Sequence, residues 1–147
     1  MRSFLLVIIF FVIGFFLINN PSENLQPTEI KYVKIAGQII KVDLASTPEA
    51  QMRGLSGRGE LKENEGMLFI FDSPGRRPFW MKDMNFAIDI IWLAEDLKVV
   101  YIKKDALPEL YPEIYSAEEN ARYVLEVVAG FSEKNNLKEG DRAWFAF

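Results

Sequence analysis

The chain has 147 residues, half of them hydrophobic, with a formal net charge of −4 and neither cysteine nor histidine. That length is enough for one domain and a short extra segment, and the acidic balance without a Lys/Arg run excludes a nucleic-acid partner. Without Cys or His there is no disulfide, no thiolate zinc site and no His-based catalytic machinery, and no cofactor is predicted.

The N-terminus begins with an apolar run at residues 4–18, preceded by Arg2. About 20 apolar residues span a bilayer core, so this run with its polar flanks is just long enough to cross. We therefore predict a signal anchor at residues 1–22 and a linker at 23–29, with the cell membrane as a partner through residues 4–18. Arg2 favours a cytoplasmic N-terminal flank, which puts the domain on the extracytoplasmic side. The alternative is a cleaved signal peptide and a secreted or periplasmic protein.

Residues 30–147 are predicted to form one all-β domain with one or two short helices. The predicted strands cover residues 30–36, 38–44, 67–71, 79–84, 87–93, 98–103, 122–129 and 142–147. Gly37 offers the turn of a first hairpin. Thr47 and Pro48 predict the N-cap and first residue of a helix to about Leu55, and residues 131–136 predict a second. Seven or eight short strands separated by turn residues favour a sandwich or a barrel.

A series of short motifs in a fixed order resembles one known family. The motifs are Arg53-Gly-Leu-Ser-Gly-Arg58, Gly66-Met-Leu-Phe69, Phe79-Trp-Met-Lys82, Asp89-Ile-Ile91, Tyr115-Ser116, Leu125-Glu126 and Gly140-Asp141. They are similar to domain of unknown function 192, a prokaryotic family of small proteins that are often secreted or membrane-tethered. The resemblance covers about residues 39–145 and implies a β-sandwich of jelly-roll type, but no activity, substrate or catalytic residue. The chain departs from the family pattern at Asp83-Met84, where Asn-Thr is usual.

Two acidic residues, Asp89 and Glu126, lie inside apolar strand segments. Each is expected to face solvent, to be buried in an ion pair with Arg53, Arg58 or Lys82, or to belong to a functional site. As a catalytic pair they would act as acid and base on a glycosidic bond, which requires both carboxyls in one cleft. Alternatively, they would orient a polar ligand together with an arginine.

Tryptophan and methionine residues supply the other candidates. Trp80 and Trp92 could stack on sugar rings, or both could be core residues. A ligand-facing role requires at least one ring exposed in a concavity. The thioethers of Met67, Met81 and Met84 suit Cu(I), but flexible core filling explains them as well, and no metal site is predicted.

These observations favour a non-enzymatic, membrane-tethered domain that binds a small molecule or an envelope component at a concave face. The candidate ligand-binding residues are Arg53, Trp80, Lys82, Asp89 and Glu126. One alternative is a carboxylate-dependent hydrolase of envelope glycans, and another is a structural or accessory envelope protein. Convergent acids in a pocket would favour the enzyme, an exposed aromatic surface would favour binding, and a sealed core would favour the accessory role.

Overall fold

The computed structural model describes residues 29–147, a mostly-β domain with two short α-helices. The strands are β1 Tyr32–Ile35, β2 Gln38–Ala45, β3 Glu65–Gly75, β4 Ile88–Leu93, β5 Val99–Ala106, β6 Ala121–Val128 and β7 Trp144–Ala146. The helices are α1 Pro48–Arg53 and α2 Phe131–Lys134, and a 3-10 turn covers Pro108–Leu110. The predicted anchor lies outside the described residues. Within residues 29–147, no helix is long and apolar enough to cross a membrane.

All seven strands belong to one sheet, in the order β5-β4-β6-β3-β2-β1-β7. Every pairing is antiparallel except that of β2 with β3. The two edges approach each other through a bridge between Lys98, just before β5, and Arg142, just before β7. The sheet therefore curls into an incomplete barrel. The mostly-β prediction is confirmed, whereas one curled sheet takes the place of the two sheets of a jelly-roll sandwich.

Both faces of the central strands are buried, so the domain has two hydrophobic cores. The inner core, inside the curl, includes Leu68, Ile91 and Leu125, and the outer core includes Phe69 and Trp92. Neighbouring residues of a strand alternate between the two cores, which explains why β3 is apolar without interruption from Met67 to Phe71. The outer core is covered by the turn after α1 and by the segments at 76–87 and 107–120, all of which contribute buried side chains to it.

Local sequence signals are confirmed at the first hairpin and the first helix. Ala36 and Gly37 have φ values of 49° and 74°, as a two-residue hairpin turn with two left-handed positions requires. Oγ1 of Thr47 accepts a hydrogen bond from the N–H of Ala50 at 3.2 Å, which satisfies a free donor in the first turn of α1. The helix ends at Arg53, two residues earlier than predicted.

The strand predicted at residues 79–84 is wrong. Only Phe79 pairs, through a single bridge with Tyr115. After it the chain turns, since the N–H of Met84 donates to the carbonyl of Met81 at 3.4 Å and Asp83 has a φ of 55°. The segment therefore lies over the outer face of the sheet and does not extend it.

Gly66 allows β3 and β6 to approach each other closely. A Cβ at this position would lie 2.7 Å from the carbonyl oxygen of Glu126 and 3.1 Å from Cγ2 of Ile40. Because the carbonyl belongs to the β-ladder, the strands would have to move apart. Gly66→Ala is therefore expected to lower the free energy of unfolding by roughly 1–3 kcal/mol, measured by urea denaturation. The control is Gly59→Ala, whose Cβ would have no atom within 4 Å; equal losses in both variants would contradict the argument.

Candidate functional site

A pocket of about 350 Å³ opens between the outer face of the sheet, α1 and the segment at 76–87. Four rings line it, those of Phe69, Phe71, Phe79 and Trp80. Phe69 and Phe79 pack edge to face with ring centroids 4.8 Å apart, so the inner wall is fixed by the outer core. We call this site the aromatic pocket.

Helix α1 forms one side of the aromatic pocket and is fixed to the sheet by Gln51. Its Nε2 donates to the carbonyl of Ile70 at 2.7 Å and to that of Ala45 at 3.3 Å. These carbonyls belong to β3 and β2, so one side chain ties the helix to both parallel strands. No pattern in the sequence around Gln51 indicated this role.

The turn after α1 is hydrogen-bonded to the segment at 76–87, which we call the covering segment. Oγ of Ser56 donates to the carbonyl of Lys82 at 2.9 Å, and the N–H of Gly57 donates to the carbonyl of Asp83 at 2.8 Å. Asp83, one of the two departures from the family pattern, thus serves through its backbone, and its left-handed φ is one that Asp and Asn both tolerate. The bonds hold the two sides of the pocket at a fixed separation.

Glu126 forms the floor of the aromatic pocket. It lies in β6 opposite Met67 of β3 and Ile90 of β4, and it is only 4% exposed. Its Oε2 has no hydrogen-bond partner among residues 29–147. Burial raises the pKa of Glu126 to about 8, because desolvation disfavours the charged carboxylate. At pH 7 the floor is therefore mostly a neutral carboxylic acid.

Two cationic side chains, Arg53 and Lys82, line the aromatic pocket on its exposed side. They are its only basic lining residues in the described part of the chain. Neither forms an ion pair with any of residues 29–147. Both side chains are therefore placed to bind an anionic group of a ligand.

The two candidate tryptophans have different environments. Trp92 is fully buried, and its Nε1 donates to the carbonyl of Arg77 at 2.8 Å, as expected for a core residue. Trp80 is 49% exposed, lines the aromatic pocket and contacts the ring of Tyr111 at a centroid distance of 6.1 Å. Trp80 thus has the exposure in a concavity that a ligand-facing ring requires.

Asp89 is fully buried away from the aromatic pocket. Its Oδ2 accepts from the N–H of Ser132 at 2.8 Å, and its Oδ1 accepts from the N–H groups of Asp105 at 2.9 Å and Gly130 at 3.3 Å. A carboxylate at a helix N-terminus that accepts backbone N–H bonds is a structural cap, here for α2.

The two acids, Asp89 and Glu126, do not meet. Glu126 pairs with Ile90 across the ladder, so the side chains of these two residues share the outer face. Asp89 precedes Ile90 and faces the opposite side. The structure therefore corrects the catalytic-pair arrangement, since the two carboxyls lie on opposite faces of the sheet. It also corrects the predicted ion pairs, because neither acid forms one with residues 29–147; Arg58 pairs with Asp43 instead.

The three candidate thioethers do not line one accessible site. Met67 and Met81 are buried in the outer core, 7% and 1% exposed, whereas Met84 lines the aromatic pocket. Residues 29–147 also contain no cluster of three His, Cys, Asp or Glu side chains that could hold a metal ion. Core packing explains Met67 and Met81.

Comparisons with known proteins identify one family and two solved structures that are similar to the chain. The model of the DUF192 family, described as "Uncharacterized ACR", matches residues 31–145. A crystal structure from Novosphingobium aromaticivorans, of a protein of unknown function, is 30% identical with a TM-score of 0.74, over 85% of this chain and 89% of that one. A candidate transcription regulator from Sinorhizobium meliloti is 28% identical with a TM-score of 0.72, over 78% of this chain and 90% of that one. No curated protein matches the chain.

Proposed function

Because the chain belongs to the uncharacterised DUF192 family, we propose a function from its own geometry: it is a small-molecule-binding domain whose site is the aromatic pocket. The observation that carries this proposal is the buried Glu126 carboxyl, which has an oxygen without a partner among residues 29–147 at the floor of an open pocket. A buried polar atom without a hydrogen bond destabilises the fold by about 1–3 kcal/mol. A ligand that bonds to it would remove that cost.

The size and composition of the aromatic pocket support this proposal. A volume of about 350 Å³ fits a small ligand, and rings with a few polar groups are the usual lining of such sites. Four of the five residues predicted to bind a ligand line this one pocket, namely Arg53, Trp80, Lys82 and Glu126. The fifth, Asp89, has the structural role described above.

Binding is favoured over the two alternative functions. Among residues 29–147, Glu126 is the only acidic side chain that lines the aromatic pocket, whereas glycoside hydrolysis through side-chain carboxyls requires two. A purely accessory role would be expected with a sealed core, and an open pocket with an unpartnered carboxyl does not fit that expectation.

We propose further that residues 4–18 anchor the chain in the cell membrane with the domain on the extracytoplasmic side. The support is the uncharged apolar run behind Arg2. Protease treatment of intact cells is expected to degrade the domain. A domain that stays protected until the cells are lysed would contradict this location.

A thermal-shift screen with two matched tryptophan variants tests the proposed function. A ligand of the aromatic pocket is expected to raise the Tm of the wild type and of Trp144→Ala, whose exposed ring is on β7 outside the pocket. Trp80→Ala is expected to weaken binding about tenfold, because one stacking face is lost. The proposal would be contradicted if Trp80→Ala and Trp144→Ala weaken the binding of the hits equally, or if no compound of a broad library binds.

A further inference from the structure

The chemistry of the aromatic pocket indicates the charge of its ligand. In the part of the chain that the structure describes, Glu126 is the only acidic side chain that lines the pocket, and four rings line the same space. The faces of aromatic rings attract cations, and a buried carboxylate is stabilised by an opposite charge. An organic ammonium ion satisfies both features, whereas a neutral ligand would use the carboxyl only as a hydrogen-bonding group.

The ring faces of the pocket favour an alkylated ammonium over a primary one. A primary ammonium needs acceptors for three N–H donors. The other side-chain oxygens of residues 29–147 that line the pocket are Oε1 of Gln51 and Oγ of Ser56, so that with Glu126 the acceptors just match that number. The nitrogen of Gln51 and the hydroxyl hydrogen of Ser56 already bind backbone carbonyls, which fixes both groups in place. N-methyl groups need no acceptor, and they pack well against ring faces.

The exposed side of the pocket indicates a second charge on the same ligand. Arg53 and Lys82 line it without ion pairs to residues 29–147. A simple cation would meet their repulsion, whereas a carboxylate on the outer end of the ligand would be attracted by both. The charges along the pocket thus run from one acid at the floor to two bases at the opening.

We propose that the aromatic pocket binds a betaine-type zwitterion, an N-alkylated ammonium carboxylate, with its ammonium group against Glu126 and the rings and its carboxylate at Arg53 and Lys82. This inference rests on the proposed function, and it names the ligand class of that same site. It also gives the unpartnered floor carboxyl a counter-charge in place of a hydrogen bond.

Binding of such a cation is coupled to the protonation of Glu126. Burial holds the pKa of this carboxyl at about 8, so the free protein carries the proton at pH 7. The cation stabilises the ionised carboxylate, and the proton is released to the buffer. Affinity is therefore expected to rise with pH until about pH 8. The other charged groups of residues 29–147 that line the pocket are Arg53 on α1 and Lys82 on the covering segment.

Four probes of matched shape separate the charges. Glycine betaine carries a quaternary ammonium and a carboxylate. Choline carries only the ammonium charge, 3,3-dimethylbutanoate carries only the carboxylate, and 3,3-dimethylbutanol carries no charge. Calorimetry on the full chain is expected to give the highest affinity for glycine betaine and an affinity at least about tenfold lower for 3,3-dimethylbutanoate. Glu126→Gln is expected to lower the affinity for betaine about tenfold and to abolish the proton release. The control is Glu119→Gln, which changes an exposed acid outside the pocket and should bind betaine with the wild-type affinity.

The possible failures are distinguishable. If choline, 3,3-dimethylbutanoate or 3,3-dimethylbutanol binds as tightly as betaine, or if Glu126→Gln leaves betaine binding unchanged, the zwitterion inference is overturned while the pocket remains a binding site. The same conclusion holds if no probe binds but another library compound does and responds to Trp80→Ala. If neither the probes nor the library bind, both the inference and the proposed function fall.

Discussion

Replacing Asp89 with alanine is expected to lower the free energy of unfolding by roughly 3–5 kcal/mol, less than the sum over its hydrogen bonds because bonds to one shared carboxyl are not additive. The substitution removes the acceptor of three backbone N–H groups, those of Asp105, Gly130 and Ser132. Hydrogen bonds to a charged group contribute about 1.5–3 kcal/mol each, and buried donors left without a partner add their desolvation cost. The start of α2 would be released from the end of β5. Urea denaturation at neutral pH measures the loss.

An exposed aspartate provides the matched control for Asp89. Asp43 pairs with Arg58 at the surface, with 58% of the Asp43 side chain exposed. Asp43→Ala is therefore expected to change stability by less than about 1 kcal/mol. If Asp89→Ala and Asp43→Ala unfold at the same urea concentration, Asp89 is not the structural cap that its hydrogen bonds indicate.

The stability of the wild type is expected to fall as the pH rises from about 4.5 to about 8. Burial raises the pKa of Glu126 from 4.5 in the unfolded chain to about 8 in the fold. Between these values the folded state holds a proton that the unfolded state has lost. The resulting slope is about −1.4 kcal/mol per pH unit, which amounts to several kcal/mol across the window. The stabilisation is complete below pH 4.5 and lost above pH 8.

Comparing two glutamine variants with the wild type separates the effect of Glu126 from that of other titrating groups. Glu126→Gln cannot ionise, so its stability minus that of the wild type is expected to increase with pH up to about pH 8. Glu119→Gln, at an exposed position, should keep the wild-type slope. If the free energy of unfolding depends on pH in the same way for the wild type and Glu126→Gln, Glu126 ionises as readily in the fold as in the unfolded chain, which would contradict this account.

Local sequence signals predicted the elements of this fold better than their assembly. The turn at Ala36-Gly37 and the cap at Thr47 depend on neighbouring residues, and both were predicted. The curl of the sheet depends on contacts such as the bridge between Lys98 and Arg142, which are 44 positions apart in the chain. The covering segment was predicted as a strand because Phe79 to Met84 contains aromatic and apolar residues, but the turn at Asp83 prevents pairing.

The candidate site was predicted in part, for a similar reason. Asp89 and Glu126 have the same local pattern, an acid between apolar strand residues, and the sequence does not distinguish them. The β4–β6 register assigns them to opposite faces, one toward backbone donors and one toward the aromatic pocket. Trp80 was predicted as a ring that stacks on a ligand, and Arg53 and Lys82 were predicted as partners of the two acids. Gln51 and Phe71 complete the pocket through tertiary packing, so no local signal indicated them.

Titration of the Glu126 carboxyl carbon by NMR tests the central claim most directly, with Glu126→Gln to assign the signal. A buried acid without a partner at the floor of the pocket predicts a midpoint near pH 8 in the free protein. Saturation with glycine betaine is predicted to lower that midpoint, because the ammonium stabilises the carboxylate. A midpoint near 4.5 in the free protein would mean that the carboxyl is solvated or paired, and it would contradict the account of the pocket.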